Sequence, residues 1–253
     1  MEITILGSGT CVPYARRSSP CTAVDINGRL ALLDSGSGSM LRLTEAKLDH
    51  TKIDHLFYTH FHPDHTADMI PILFAMKNTP GFQREKDITI TGPRGFSQVY
   101  ETRSSLYERW INSPYYQIHL REVASSKAWE AAYDGFLVRS MPVLHSKNSV
   151  GYRVEEGGKA LVFSGDTDYC ESLIELARDA DMLILECSTP DSEKVEGHLT
   201  PTLAGKIAAE SKCRKLVLTH LYPACDQTDI LTPLKKEYQG EAVVAEDLMK
   251  FTL

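Results

Sequence analysis

Short apolar runs alternate with turn-forming clusters along most of the chain, and most of these runs have the length of a strand. Glu2–Leu6, Ala23–Ile26 and Leu30–Asp34 follow one another across Gly, Ser and Asn turns and read as strands. Asp54–Tyr58, Ile88–Thr91, Gln117–Val123, Phe136–Met141, Val150–Val154, Ala160–Ser164, Met182–Glu186 and Leu216–Thr219 read the same way, with a last strand near Lys250–Leu253. Helical spacing appears from DSGSGS (Asp34–Ser39) to about Leu48, from Asp64 to Lys77, and over Phe96–Tyr107, Glu171–Arg178, Pro201–Ser211 and Thr232–Tyr238. Thr200 is placed to cap the helix that Pro201 opens. Early strands come in succession and later ones alternate with helices. That order predicts an α/β fold, sheets covered by helices on their outer faces, in one domain spanning 1–253.

Composition narrows the function classes. The chain has 253 residues, 42% hydrophobic and 24% charged, which excludes a disordered or fibrous protein. No apolar run approaches the roughly 18 residues of a membrane span. The opening MEITILGSGT has no basic segment before it and reads as a strand, so a cytoplasmic location without an export signal is expected. Cysteines 11, 21, 170, 187, 213 and 225 contain no CxxC pair and are expected as reduced thiols. Net charge is −7, against any bulk electrostatic grip on nucleic acid.

The sharpest local feature is Thr59-His60-Phe61-His62-Pro63-Asp64-His65, directly after an apolar strand. In extended chain, residues two apart point the same way, so His60 and His62 can converge on one cation. Pro63 fixes the turn, and a helix starting there lets Asp64 and His65 face a second cation. Imidazole and carboxylate donors suit zinc, manganese or iron. Two cations need more ligands than one loop supplies. His145 ends RSMPVLHS, Asp166 ends ALVFSGD and His220 ends KLVLTH, each after a strand-like run and so each placed to project from one sheet edge.

Taken together, THFHPDH, His145, Asp166 in SGDT and His220 in LTH resemble the five motifs of the metallo-β-lactamase superfamily, in order over nearly the whole chain. DSGSG at 34–38 resembles that family's short Asp motif, which buttresses the metal loop. The resemblance implies a four-layer αββα sandwich with two divalent metal ions at one edge, Zn2+ first among them and Mn2+ or Fe2+ as alternatives. By that resemblance His60, His62 and His145 hold one metal, Asp64, His65 and His220 hold the other, and Asp166 bridges them. A bridging water that loses its proton would be the nucleophile.

Ligand identities prune the superfamily. Oxygen-reducing diiron members have a glutamate where His62 stands, and true β-lactamases lack a bridging aspartate such as Asp166. GSGTCVP (7–13), and His145-Ser146 followed by Ser149-Val150-Gly151-Tyr152-Arg153, resemble the ribonuclease Z group. Glu186-Cys187-Ser188-Thr189 and Gly197-His198-Leu199-Thr200 resemble its paired glutamate and histidine motifs. The resemblance implies a phosphodiesterase with Asp64, His198 and Glu186 as catalytic residues and His198 as general acid. Ribonuclease Z enzymes carry a long tRNA-gripping arm between the third histidine motif and the bridging aspartate. Only 20 residues separate His145 from Asp166 here. The expected substrate is therefore a small or cyclic nucleotide or other small phosphodiester, with RNA 3′ ends as the larger alternative. No membrane partner is expected, and the resemblance implies a homodimer. A thioesterase or lactonase of the glyoxalase II type is the alternative enzyme, and a metal-stabilised scaffold the non-catalytic one.

Other features point to structure. His50, His55 and His119 read as packing or surface residues. Tyr107–Tyr116 reads as aromatic packing under a loop, with base stacking or a dimer contact as the lesser alternatives. Arg84, Lys86, Arg94 and Arg103, mixed with Glu85, Asp87 and Glu101, read as a solvated face.

Overall fold

The computed structural model describes all 253 residues. The first half runs β1 (Glu2–Gly7), β2 (Cys21–Ile26), β3 (Arg29–Leu33), α1 (Ser39–Glu45), β4 (Ile53–Phe57), α2 (Pro63–Thr66), α3 (Met69–Asn78), β5 (Ile88–Pro93), α4 (Phe96–Ser104), α5 (Glu108–Ile111) and β6 (Ile118–Val123). The second runs β7 (Trp129–Tyr133), β8 (Phe136–Pro142), β9 (Val150–Glu156), β10 (Lys159–Phe163), α6 (Glu171–Leu176), β11 (Met182–Glu186), α7 (Pro201–Ser211), β12 (Lys215–Thr219), α8 (Leu231–Glu237) and β13 (Glu241–Val244), before β14 (Lys250–Thr252) closes the chain.

Two seven-stranded sheets result, in the orders β14-β1-β2-β3-β4-β5-β6 and β13-β12-β11-β10-β9-β8-β7. Each has one antiparallel half and one parallel half, joined at β3/β4 in the first sheet and β10/β11 in the second. The two halves of the chain thus repeat one topology without repeating a sequence, and β14 fills in the first sheet the place that β7 has in the second.

Three apolar clusters define four layers. The middle cluster is built almost entirely from strand residues, among them Ile3, Ile5, Phe57, Tyr152, Leu161, Phe163 and Ile184. One outer cluster joins the first sheet to Leu43 of α1, Ile72 and Leu73 of α3 and Phe96 of α4. The other joins the second sheet to Leu173 of α6, Ile207 of α7 and Leu234 of α8. Alternation makes this possible: in β11, Met182 and Ile184 face the other sheet while Leu183 and Leu185 face the helices. Strands covered on both faces read as unbroken apolar runs, and each such side chain contributes about 1.5–3 kcal/mol by burial. The architecture is the expected αββα sandwich. No helix is long and apolar enough to cross a membrane.

Several local expectations change. The helix read over Asp64–Lys77 breaks into α2 and α3, because Asp68 N–H donates to Ser35 O and its carboxylate accepts Met40 N–H. The strands β7 and β13 escape the sequence reading; both lie at sheet edges, and Glu130, Ala131 and Ala132 at the centre of β7 are weak strand formers. Thr200 is the N-cap residue of α7 but makes no capping bond; Asp191 Oδ1 accepts Thr202 N–H at 3.1 Å instead.

Candidate metal centre

Parallel strands end together, and the ends of β3, β4, β10, β11 and β12 deliver Asp34, Thr59–His65, Asp166, Glu186 and His220 to one rim of the sandwich. Ligands favour such rims, outside the carboxyl ends of strands where sheet order switches. The chain is drawn in tightly there. A Cβ on Gly36 would stand 2.0 Å from the Asp64 carbonyl oxygen, and one on Gly165, at φ +58°, would stand 2.6 Å from Thr59. Asp34 and His220 also have positive φ, at 57° and 55°. Such backbone strain, about 1–3 kcal/mol each, persists only where surrounding structure enforces it.

The histidines are oriented from behind. Asp34, buried, accepts Thr59 N–H at 2.9 Å, Thr59 Oγ1–H at 2.8 Å and His65 Nδ1–H at 2.7 Å. Thr59 Oγ1 in turn accepts from His60 Nδ1 at 3.0 Å. His145 Nδ1–H donates to Gly197 O at 2.9 Å and His220 Nδ1–H to Ser188 Oγ at 2.9 Å. Every one of these rings therefore turns Nε2 towards the rim.

Those free atoms converge. His65 Nε2 and His220 Nε2 lie 3.2 and 3.3 Å from Asp166 Oδ1, and 3.8 and 3.7 Å from Asp64 Oδ2. His60 Nε2 and His145 Nε2 both lie 3.7 Å from Asp166 Oδ2, and His62 Nδ1 faces His145 Nε2 at 3.2 Å. Ligands about 2.0–2.2 Å from a tetrahedral zinc stand roughly 3.3–3.5 Å apart. His60 Nε2, His65 Nε2, His220 Nε2 and Asp166 Oδ1 are buried without a hydrogen-bond partner, an arrangement that cations would satisfy. Two donor sets emerge: His60, His62, His145 and Asp166 in one, and Asp64, His65 and His220 in the other. Asp166 lends one oxygen to each side.

Burial, helped by the charge of His65, holds His60 well below the ordinary imidazole range, and burial also lowers His145. Neutral rings of this kind are the form that ligates. His65 goes the other way. Burial opposes its charge, but Asp166 and Asp34 on either side outweigh it and hold the ring well above its usual range. Burial likewise works against ionised Asp166, and His220 and His65 outweigh it, keeping the carboxyl well below the carboxylate range.

Glu186 is fully buried one layer behind. It accepts Thr167 N–H at 2.8 Å, Leu199 N–H at 3.0 Å, Ser188 Oγ–H at 2.8 Å and His198 Nδ1–H at 2.8 Å. One carboxylate thereby fixes the Asp166 loop, the support of His220 and the ring of His198. His198 stacks on His220 with ring centroids 5.6 Å apart, and with Asp166 and His220 forms a third donor group. Burial opposes a charge on His198, while the hydrogen bond and charge of Glu186 outweigh it and raise its pKa.

All nine site residues named from sequence meet at this rim. Asp168, which the sequence reading passes over, completes it: the carboxylate accepts Gly197 N–H at 3.0 Å and pairs with Lys194 at 2.7 Å, docking the loop that carries His198. Its only signal is its place in the turn after Asp166. The remaining histidines lie elsewhere. His55 is enclosed by Phe57, Tyr133 and Phe136, His50 bonds Thr79 and His119 bonds Asp87. Two further expectations change. Arg84 is buried, bonded to Asp54 and to the carbonyls of Thr51, Lys86 and Asp87; of the aromatic stretch Tyr116 is packed as expected, while Tyr107, Trp110 and Tyr115 stand exposed.

Residues 31–221 match a family model described as a β-lactamase superfamily domain. Ribonuclease Z of Methanosarcina acetivorans is 30% identical, covering 100% of this chain and 98% of that protein. Ribonuclease Z of Mycobacterium sp. strain KMS is 31% identical, covering 88% of this chain and 85% of that protein. Among solved structures, human tRNase Z, short form, superposes with a TM-score of 0.83 at 24% identity, over 100% of this chain and 99% of that one.

Proposed function

The chain belongs to the β-lactamase superfamily and, within it, to the ribonuclease Z family, and from that membership we propose a metal-dependent phosphodiesterase that acts at RNA 3′ ends. Residues 1–253 are read as one hydrolase domain. The observation that carries the reading is Asp166, with an oxygen towards each of two donor sets and the Glu186–His198 pair beside it.

His60, His62 and His145 would hold one divalent cation, Asp64, His65 and His220 the other, and Asp166 both; zinc is the first choice for these donors, with Mn2+ or Fe2+ also suited. When bound, such a pair acidifies a water to serve as nucleophile and polarises a phosphoryl oxygen. The rest falls to side chains of this chain. Phosphodiester cleavage expels an alkoxide, which must take up a proton. His198, its Nδ1–H spent on Glu186, offers Nε2 for that delivery, and Glu186 fixes both tautomer and ring plane. A thiolate leaves without a proton, so a thioesterase gives this buried pair no task.

The loops that could grip a substrate are short. The alignment with the Methanosarcina enzyme spans 311 positions against 253 residues here, so that enzyme carries stretches this chain lacks. Between β9 and β10 there is only the turn Gly157-Gly158. An RNA end, or a nucleotide-sized phosphodiester, would have to be held close to the scissile bond.

A homodimer is part of the proposal. It is supported by a hollow of about 770 Å3 lined by Ile70, Phe74, Leu106, Tyr107 and Trp110, several of them exposed, the kind of apolar patch that marks an interface. A cytoplasmic location is also part of it; six free cysteines suit a reducing compartment. The test is metal analysis of the purified protein together with turnover of bis(p-nitrophenyl) phosphate, a precursor tRNA 3′ end and a glutathione thioester. Two metals per chain with hydrolysis of the phosphodiesters is expected. Thioester turnover alone would refute the reading.

A further inference from the structure

Three side chains stand on loops that meet on one side of the metal centre without taking part in it. Phe61, between His60 and His62, is partly exposed, and its ring edge lies 3.9 Å from where a Cβ on Gly95 would stand. Gly95 follows Arg94, whose carbonyl accepts Asn148 Nδ2–H at 3.0 Å. That bond joins the turn after β5 to the loop carrying His145 and Lys147. Arg94 and Lys147 are both exposed. The hydrogen bonds of Arg94 run through its main chain, to Ser125 and Asn148. Glu122 accepts Ser97 N–H and feels the charge of Arg94 without closing to an ion pair. Of the cations elsewhere around the rim, Lys194 pairs with Asp168, Arg17 with Asp226, and Arg16 with Asp226 and Glu246, while Arg103 is held by Thr66 Oγ1. In a chain of net charge −7, two exposed cations that close no ion pair stand on the loops beside a half-open aromatic ring.

We infer that Phe61, Arg94 and Lys147 form a subsite for the nucleotide adjoining the scissile phosphate, the ring against one face of the base and the two cations on the neighbouring phosphate. Aromatic rings stack on any base, and Arg and Lys hold phosphate without reading sequence. The subsite rests on the phosphodiesterase reading, so its test reads binding and not turnover.

Zinc-loaded protein is titrated calorimetrically with adenosine 3′,5′-bisphosphate, adenosine 5′-monophosphate and ribose 5-phosphate over a range of salt. The bisphosphate is expected to bind at least roughly tenfold more tightly than the monophosphate, since each charge-assisted hydrogen bond is worth more than that factor. In the double variant Arg94→Ala/Lys147→Ala the ratio falls towards one, and the salt slope of the bisphosphate drops by about 0.7 for each cation withdrawn from the phosphate. Phe61→Ala weakens both adenosine ligands by roughly tenfold and ribose 5-phosphate far less. A bisphosphate preference unchanged in the double variant, equal weakening of both adenosine ligands there, or no preference in the unmodified protein would overturn the inference. Absence of bis(p-nitrophenyl) phosphate turnover would instead strike the catalytic reading, leaving the binding ratio to be judged separately.

Discussion

Replacing His198 by alanine separates proton delivery from metal binding. The ring stacks on His220 and lies 4.7 Å, centroid to centroid, from His145, and each of those rings keeps its own support, from Ser188 and from Gly197. Glu186 loses one of four donors and retains Thr167 N–H, Leu199 N–H and Ser188 Oγ–H. Removing one bond to a buried carboxylate costs about 1–3 kcal/mol of stability, which a folded domain survives. Metal content should therefore remain at two per chain. General acid catalysis contributes about 10²–10⁴-fold, or roughly 3–5 kcal/mol of barrier, when the leaving group is an alkoxide. The kcat for a dinucleotide should fall by that factor, while the kcat for bis(p-nitrophenyl) phosphate, whose leaving group departs as a stable anion, should fall less than about tenfold. The pH profile adds a second readout. His198 is raised above an ordinary imidazole by Glu186, so its working, protonated form is lost as pH rises through that value. The corresponding alkaline limb of the dinucleotide profile should vanish in the variant. Equal falls on both substrates, with the limb intact, would refute proton delivery and leave His198 a positioning group.

Three more outcomes follow from the geometry. Asp166→Ala removes the carboxylate that faces both donor sets, and metal analysis should show at least one cation lost together with nearly all turnover. His55 is pushed down to about 4 by burial, so the unfolded chain takes up a proton below about pH 6.5 that the folded one refuses; stability falls between these values by about 3 kcal/mol, and His55→Phe should flatten that acid slope in denaturant titrations relative to the unmodified protein. Arg17 is buried with two bonds to Asp226 and one to Ser8, so Arg17→Ala leaves the partly buried Asp226 only its longer contact to Arg16 and should cost about 3 kcal/mol in urea unfolding.

The chain itself declares its strands and its donors. Covered parallel strands are largely apolar, so β10, β11 and β12 stand out as runs and β4 through Leu56–Phe57, and the donors directly after them stand out with them. Edge strands carry no such constraint, so β7 and β13 leave no mark, although the edge strands β6 and β14 do. What the tertiary structure alone decides is which atoms face the cations. Asp34 selects the nitrogen of His65 from 31 residues away, Gly197 selects that of His145 from 52, and Ser188 that of His220 from 32. Such pairings depend on where two sheets place their loops, and no spacing along the chain encodes them. The same holds for Arg84, a surface residue by its charged neighbours and a buried partner of Asp54 in the fold, and for the two halves, which share a topology that their side chains do not repeat. Local pattern reports what a residue must be to lie in a layer; only closure of the layers determines what it meets there.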